Sequence, residues 1–247
     1  MKKYLSLGSI KQIVTRPRLM LRVPRYLRQL RAYRRMELRK TGRLTPLRLY
    51  PCLNDDQETQ SGYGYYFYQD CWAARQVFRE NPLWMVDVGS TVLLVGILSQ
   101  FAPCTSVDIR PIESNLEGLT VEAGSVLELP FKDGEVPLLT TMCVIEHIGL
   151  GRYGDPLNPT GTKDAVAEIA RVIAPGGVVV YSVPVGREVN EFNANRRFRY
   201  AHAQQFFKGW EMVDSVLLTP HPEAFSSEQQ VLALKEPVAC FCMRKPL

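Results

Sequence analysis

Histidine is scarce in this chain, and its cysteines show no metal-binding spacing. The 247 residues hold three histidines and six cysteines (Cys52, Cys71, Cys104, Cys143, Cys240 and Cys242), with no C-x-x-C pair among them. A structural zinc site is therefore not expected, and thiols inside apolar runs read as small hydrophobes of a reducing, cytoplasmic setting. No apolar run approaches the roughly 18–20 residues that cross a bilayer. Lys2-Lys3 is not followed by the apolar stretch of a secretory leader. Acidic residues are nearly missing from positions 1–48, where Glu37 stands alone against fifteen Lys and Arg. The remainder carries fifteen basic and twenty-four acidic residues, so a strongly basic head precedes a mildly acidic body.

What is present is a globular composition, 46% apolar and 10% aromatic, in a length that suits one α/β domain with an appendage. "PRYLRQLRAYRRMELRK" (24–40) predicts a helix, with proline in the first turn, basic residues in the last and Gly42 just beyond. Tyr26, Leu27, Leu30 and Tyr33 share one face and arginines cover the rest. Residues 1–48 are thus expected to form a basic amphipathic extension. It either packs on its own domain or meets an anionic membrane surface or membrane-bound partner, which would make the protein peripheral to a membrane. Nucleic acid is disfavoured, because no base-stacking RNA-binding motif is present.

Residues 49–62 read as a linker and 63–247 as the main domain. There the pattern predicts strands at 83–89, 104–111, 119–124, within 136–148, and at 178–186, 210–218 and 238–245. Helices are expected at 63–80, 92–101, 162–174 and near 201–208, with Pro175-Gly176-Gly177 as the turn that stops the third. Alternating helices and continuous apolar strands predict a Rossmann-like, doubly wound, mostly parallel seven-stranded α/β sheet with an antiparallel C-terminal strand. Such sheets bind ligands at the carboxyl ends of their strands.

The informative residues lie at those ends. "WMVDVGSTVLLVG" (84–96) runs from an apolar strand into a D-x-G turn, but Thr91 and Leu93 stand where D-x-G-x-G-x-G would place two further glycines. Gly89 permits a tight turn that brings backbone N–H groups near a ligand, and Asp87 is a candidate acceptor for an ammonium group. Asp108, nineteen residues after Gly89, sits where an acidic side chain can accept both ribose hydroxyls. Ser90 and Thr91 offer hydroxyls to a carboxylate, yet a Cβ at a position that needs positive φ would close the same space. In "EHIGLGRYGDPLNPTG" (146–161), His147 is a candidate base oriented by Glu146. Arg152 is suited to gripping an anionic substrate, and Asp155 is a further polar candidate. Asn193, Asn195, Arg196 and Arg197 follow the fifth strand on the substrate side. Tyr66, Tyr68, Gln69, Asp70 and Trp72 precede the first strand, where a lid is expected.

"VDVGS", "VDIRP", "LELPFKDGEV", "CVIEHIGLGRYGDPLNPTG", "AVAEIARVIAPGGVVVYSVPVG" and "FNANRRF" occur in an order and spacing that resembles class I S-adenosylmethionine-dependent methyltransferases, nearest an uncharacterised branch. The resemblance covers roughly residues 63–245. It implies S-adenosylmethionine as cofactor, with Asp87, Gly89 and Ser90 bordering its methionine part and Asp108 binding the ribose. It places Ser125, Val126 and Leu127 beside the adenine, and Cys143 to Glu146 next to the methyl donor. The expected activity is methyl transfer to a small-molecule or glycan-type acceptor, with His147 and Glu146 as catalytic residues. Arg152, Asp155, Asn193 and Arg196 are the expected acceptor contacts. Two other readings remain open at this point: a scaffold or sugar-binding protein that has lost its cofactor through Thr91 and Leu93, and an RNA methyltransferase.

Overall fold

The computed structural model describes residues 17–47, 49, 53, 64–219, 222–223, 227–234 and 236–247. The first part of the basic head and nearly all of the expected linker 49–62 lie outside those residues. The chain divides into two compact units, Met1–Ser61 and Gly62–Leu247.

In the first unit a 3-10 turn, Pro17–Arg22, leads into α1, Val23–Thr41, which ends on Gly42 with its N–H bonded to Leu38. None of the α1 side chains is buried. The segment after the helix folds back along it: Arg34 pairs with Glu37 at 2.9 Å and donates to the Thr45 carbonyl, while the Thr45 N–H donates to Glu37. The lone acid of the basic head is thereby spent within its own unit. Arg25, Arg28, Arg31, Arg35 and Arg39 form the opposite, exposed face.

The second unit begins with α2, Tyr65–Glu80, and then alternates: β1 Met85–Val88, α3 Val92–Leu98, β2 Cys104–Asp108, β3 Leu119–Ala123, β4 Val136–Met142, α4 Gly161–Val172, β5 Ile173–Pro184. A small hairpin follows, β6 Val189–Glu191 with β7 Asn195–Arg197, then α5 Tyr200–Gln204, β8 Glu211–Leu218, β9 Pro222–Glu223, α6 Glu228–Ala233 and β10 Val238–Arg244. The main sheet runs β3-β2-β1-β4-β5-β10-β8-β9. The first five strands are parallel and β10 is antiparallel to both of its neighbours. This is the expected seven-stranded sheet, with the two-residue β9 added at its edge.

The central strands β1, β4, β5 and β10 are buried on both faces, and alternate residues feed two cores. Val178 and Val180 face α2 and α3 with Met85, Leu94 and Trp72. Val179 and Tyr181 face α4 and α5 with Val86, Ile169 and Phe241. Cys104, Cys240 and Cys242 are free and buried in these layers, and the described residues include no group of side chains that could hold a metal ion. Two local expectations are revised. Pro175-Gly176-Gly177 lies inside β5 rather than between helix and strand, where it makes an irregular stretch against β4. The second helix stops at Leu98, because Ser99 and Gln100 turn the chain toward β2.

Tyr181 joins the layers through a buried hydroxyl that donates to the Ala203 carbonyl at 2.8 Å. Tyr181→Phe removes this buried bond, while the Ala203 carbonyl keeps the Phe206 N–H, and is expected to lower stability by about 1 kcal/mol. Urea unfolding should show this as a lower midpoint at unchanged slope.

Candidate functional site

The carboxyl ends of β1, β2, β4 and β5 open on one cleft with two chambers. The larger has a volume of about 500 Å³ and the smaller about 330 Å³. They share Gly89, Asp108, Arg110, Cys143, His147 and Tyr153 as walls, and their size is that of small-molecule sites in general.

The turn after β1 explains how the cleft survives without its extra glycines. Gly89 takes φ +67°, and a Cβ there would come within 2.9 Å of Val144. Thr91, by contrast, has φ −65° and ψ 143°, and its hydroxyl caps α3 by accepting from the Leu94 N–H. A threonine is unstrained in that conformation and satisfies a helix donor that glycine would leave open. Leu93 is 73% exposed and on neither chamber wall. Of the two side chains that replace the glycines, Thr91 borders the larger chamber in an unstrained conformation and Leu93 borders neither.

Asp87 is not a wall residue. It is fully buried; one oxygen accepts from the Ser90 N–H and the other from the Thr140 hydroxyl at 2.6 Å. Burial raises its carboxyl to about 6 against the pull of these bonds. Its work is to tie the turn to β4, which corrects the expectation that it meets a ligand ammonium group. Ser90 stands on the larger chamber, and its hydroxyl accepts from the Met142 N–H.

Asp108 stands on the wall common to both chambers. One oxygen accepts from the Arg110 backbone N–H at 2.7 Å; no hydrogen bond within the described residues engages the other. Ser125, Val126 and Leu127 line the smaller chamber, with the Ser125 hydroxyl holding the Leu127 N–H. The expected cofactor residues, Asp87 apart, are thus brought together around one cleft.

The opposite wall comes from the loop after β4. Cys143 adopts φ +55°, an unusual conformation for a residue with a side chain. It is braced by Ser182, whose hydroxyl accepts from the Cys143 N–H, and by Gln69 of α2, which accepts from the Cys143 thiol and the Ser182 hydroxyl. Burial pushes that thiol well above its ordinary range. Glu146 is 1% exposed, and its Oε2 is buried with no hydrogen-bond partner. Burial raises its carboxyl to about 8. His147 Nε2 lies 3.7 Å from Glu146 Oε1. Burial first, and the Arg152 charge in addition, hold the imidazole below its ordinary value, although its bond to Ala194 works the other way. Both shifts favour a neutral acid beside a neutral imidazole over an ion pair. His147 Nδ1 is 2.7 Å from the Ala194 carbonyl, which assigns the proton to Nδ1 and leaves Nε2 as the basic nitrogen.

Asp155 and Arg196 are architects of this loop. Asp155 accepts from the N–H groups of Gly149, Gly151 and Tyr153. Gly149, at φ +82°, approaches Asn158 so closely that a Cβ would lie 2.1 Å from the Asn158 oxygen. Arg196, 6% exposed, donates to the carbonyls of Ile148 and Asn158 and to the Thr162 hydroxyl, riveting the ends of the loop. Asp155 still borders the smaller chamber, but Arg196 and Asn193 are on neither wall, and Asn193 is exposed on the hairpin turn. These placements correct the expectation that both contact the acceptor, because the buried guanidinium finds its acceptors in loop carbonyls. Arg152 and Asn195 do stand on the larger chamber.

The sequence reading missed Tyr65, Arg110 and Tyr153. Tyr65 and Tyr66 of α2 form the chamber's aromatic side, with ring centroids 4.4 Å apart. Of the expected lid, Trp72 is instead a core residue. Arg110 and Tyr153 were readable only as neighbours of Asp108 and Arg152.

The folded protein keeps on Glu146 a proton that the unfolded chain releases above its ordinary value of 4.5. The Glu146 contribution to native stability should therefore fall as pH rises from 4.5 toward about 8, and level off above that. Asp87 adds a loss of the same sign over a lower window. Glu146→Gln removes the Glu146 part, so its melting temperature should gain on wild type as pH is raised from 5 to 8.5. A difference that does not change with pH would contradict the buried neutral acid.

Residues 133–236 match the model of a family described as "Caenorhabditis protein of unknown function, DUF268". That span holds β4, the loop after it and the elements from α4 to α6. No curated protein matches the chain. Solved structures do. The YcgJ protein of Bacillus subtilis is 12% identical, with a TM-score of 0.53 over 73% of this chain and 99% of that one. The 4+2 cyclase SpnF is 14% identical, with a TM-score of 0.53 over 77% and 86%. A protein from Galdieria sulphuraria described as a sarcosine dimethylglycine methyltransferase is 15% identical, with a TM-score of 0.52 over 73% and 86%. Identities this low speak to fold, and a protein named as a cyclase on the same fold means that fold alone does not fix the reaction. In its strand order and its structural neighbours, the chain has the fold of the class I S-adenosylmethionine-dependent methyltransferases, and within it residues 133–236 resemble a family of unknown function.

Proposed function

We propose that this chain is an S-adenosylmethionine-dependent methyltransferase acting on a small, polar acceptor of the glycan type. The observation that carries the reading is the position of Asp108. Asp108, with one carboxylate oxygen free of hydrogen bonds among the described residues, lies on the wall shared by a chamber bordered by the Gly89 turn and a chamber lined by Ser125, Val126 and Leu127. An acceptor for a ribose diol between a turn for an amino acid and an apolar slot for a base is the arrangement such a cofactor requires.

When bound, the cofactor supplies an electrophilic methyl group. The chain's own residues then have separable roles. Tyr65 and Tyr66 close the larger chamber, which excludes water and limits the approach of the acceptor. His147 Nε2, neutral at physiological pH, takes a proton from an acceptor hydroxyl or ammonium group. Glu146, protonated and unpartnered, donates to an acceptor oxygen and holds it beside the imidazole. Aromatic, hydroxyl and amide groups together suit a sugar ring, which supports the glycan reading. The arginine face of α1 is the element for apposition to an anionic membrane; no helix among the described residues is long and apolar enough to cross one.

Two measurements test this reading. Calorimetric titration with S-adenosylhomocysteine should give micromolar binding that Asp108→Ala weakens at least about ten-fold. Absence of binding to a folded sample up to millimolar ligand would favour a scaffold. Separately, the full chain should co-sediment with vesicles containing phosphatidylserine but not with phosphatidylcholine alone, and should be released by salt. Arg28→Glu with Arg31→Glu and Arg35→Glu should abolish that binding, and sedimentation unaffected by these changes would remove the membrane role.

A further inference from the structure

The larger chamber contains a cationic feature that methyl transfer as such does not need. Arg110 follows β2 and Arg152 lies in the loop after β4, yet both converge on Tyr153. Their guanidinium carbons are 4.2 Å and 5.0 Å from its ring centroid. Stacking on an aromatic ring fixes a guanidinium plane and leaves its N–H edges available for a planar or tetrahedral oxyanion.

The carboxylates on these walls, Asp108 and Asp155, do not pair with either guanidinium. Asp155 accepts three backbone N–H bonds in its own loop. Asp108 uses one oxygen on the Arg110 backbone, and no ion pair within the described residues involves Arg110 or Arg152. Arg152 spends one nitrogen on the Ala194 carbonyl at 3.1 Å. That same nitrogen lies 3.3 Å from the His147 ring. His147 and Glu146, whose Oε2 is buried without a partner, line the same chamber as the two arginines. A charged Glu146 would repel an oxyanion in that chamber; a protonated one can donate to it.

We infer that Arg110 and Arg152, stacked on Tyr153, form an oxyanion subsite, and that the acceptor is an acidic molecule carrying a carboxylate or phosphate close to the methylated atom. The inference rests on the methyltransferase reading for the word acceptor, whereas the subsite itself does not depend on it. A second source of the same chemistry is the carboxylate of the cofactor, and the test must separate the two.

The experiment is a titration of the full chain with inorganic phosphate, followed through the arginine Nε–Hε resonances, with and without saturating S-adenosylhomocysteine. The expected result is saturable, millimolar binding that moves the Arg110 and Arg152 signals and persists with S-adenosylhomocysteine bound. Arg110→Gln with Arg152→Gln should weaken it at least ten-fold while the thermal unfolding curve shows the variant folded. Linear, non-saturating shifts, or shifts confined to the arginines of α1, would overturn the subsite. Displacement of phosphate by S-adenosylhomocysteine would assign the arginines to the cofactor and overturn the acidic acceptor. Saturable phosphate binding in a protein that does not bind S-adenosylhomocysteine would keep the anion subsite and refute the methyltransferase reading instead.

Discussion

Both oxygens of Asp87 are committed inside the protein, one to the Ser90 N–H and one to the Thr140 hydroxyl, and the cleft is arranged around that pair. The bonds fasten the turn after β1 to the neighbouring strand β4, so Gly89 has to reverse the chain at positive φ. The helix that follows can then start at once on the Thr91 cap. A turn this short leaves open space at the strand ends, and residues 89–91 border it. Burying a carboxyl is costly unless its hydrogen bonds are made, and here they are made by the two elements whose separation sets the width of the site.

The far wall is governed by the opposite choice. Glu146 is as buried as Asp87 but has one oxygen without a partner, and burial turns it into an acid that keeps its proton to about pH 8. Cys143 and Ser182 are clamped by Gln69 from α2, which couples that helix to the loop after β4. Asp155 and Arg196 hold that loop by its backbone, so its glycines supply shape rather than mobility. The result is a neutral floor beneath two cationic side chains at Tyr153.

Much of the fold was legible because continuous apolar runs such as "VVVYSV" can only be strands buried on both faces. The position of Asp108 was legible for the same reason, since strand ends follow from strand lengths. The hairpin of β6 and β7 was not, because its strands are short, mostly polar and largely exposed, and it is placed by the bond from the Arg196 N–H to the Glu146 carbonyl. The structural roles of Asp87 and Arg196 are not legible in the sequence for one physical reason. A charged residue at a strand end or in a glycine-rich loop looks the same in sequence whether it faces a ligand or satisfies the backbone around it. Thr91 was misjudged in the other direction: a glycine pattern was taken as a requirement for positive φ, whereas the capped helix start needs an extended residue there.

The central claim is that one ligand spans both chambers across Asp108. A crystal structure of the protein with S-adenosylhomocysteine tests it directly. The account predicts the ribose hydroxyls on the Asp108 carboxylate, the adenine against Ser125–Leu127, and the homocysteine end at the Gly89–Thr91 turn facing Glu146 and His147. Density confined to one chamber, or a ligand that bypasses Asp108, would contradict it.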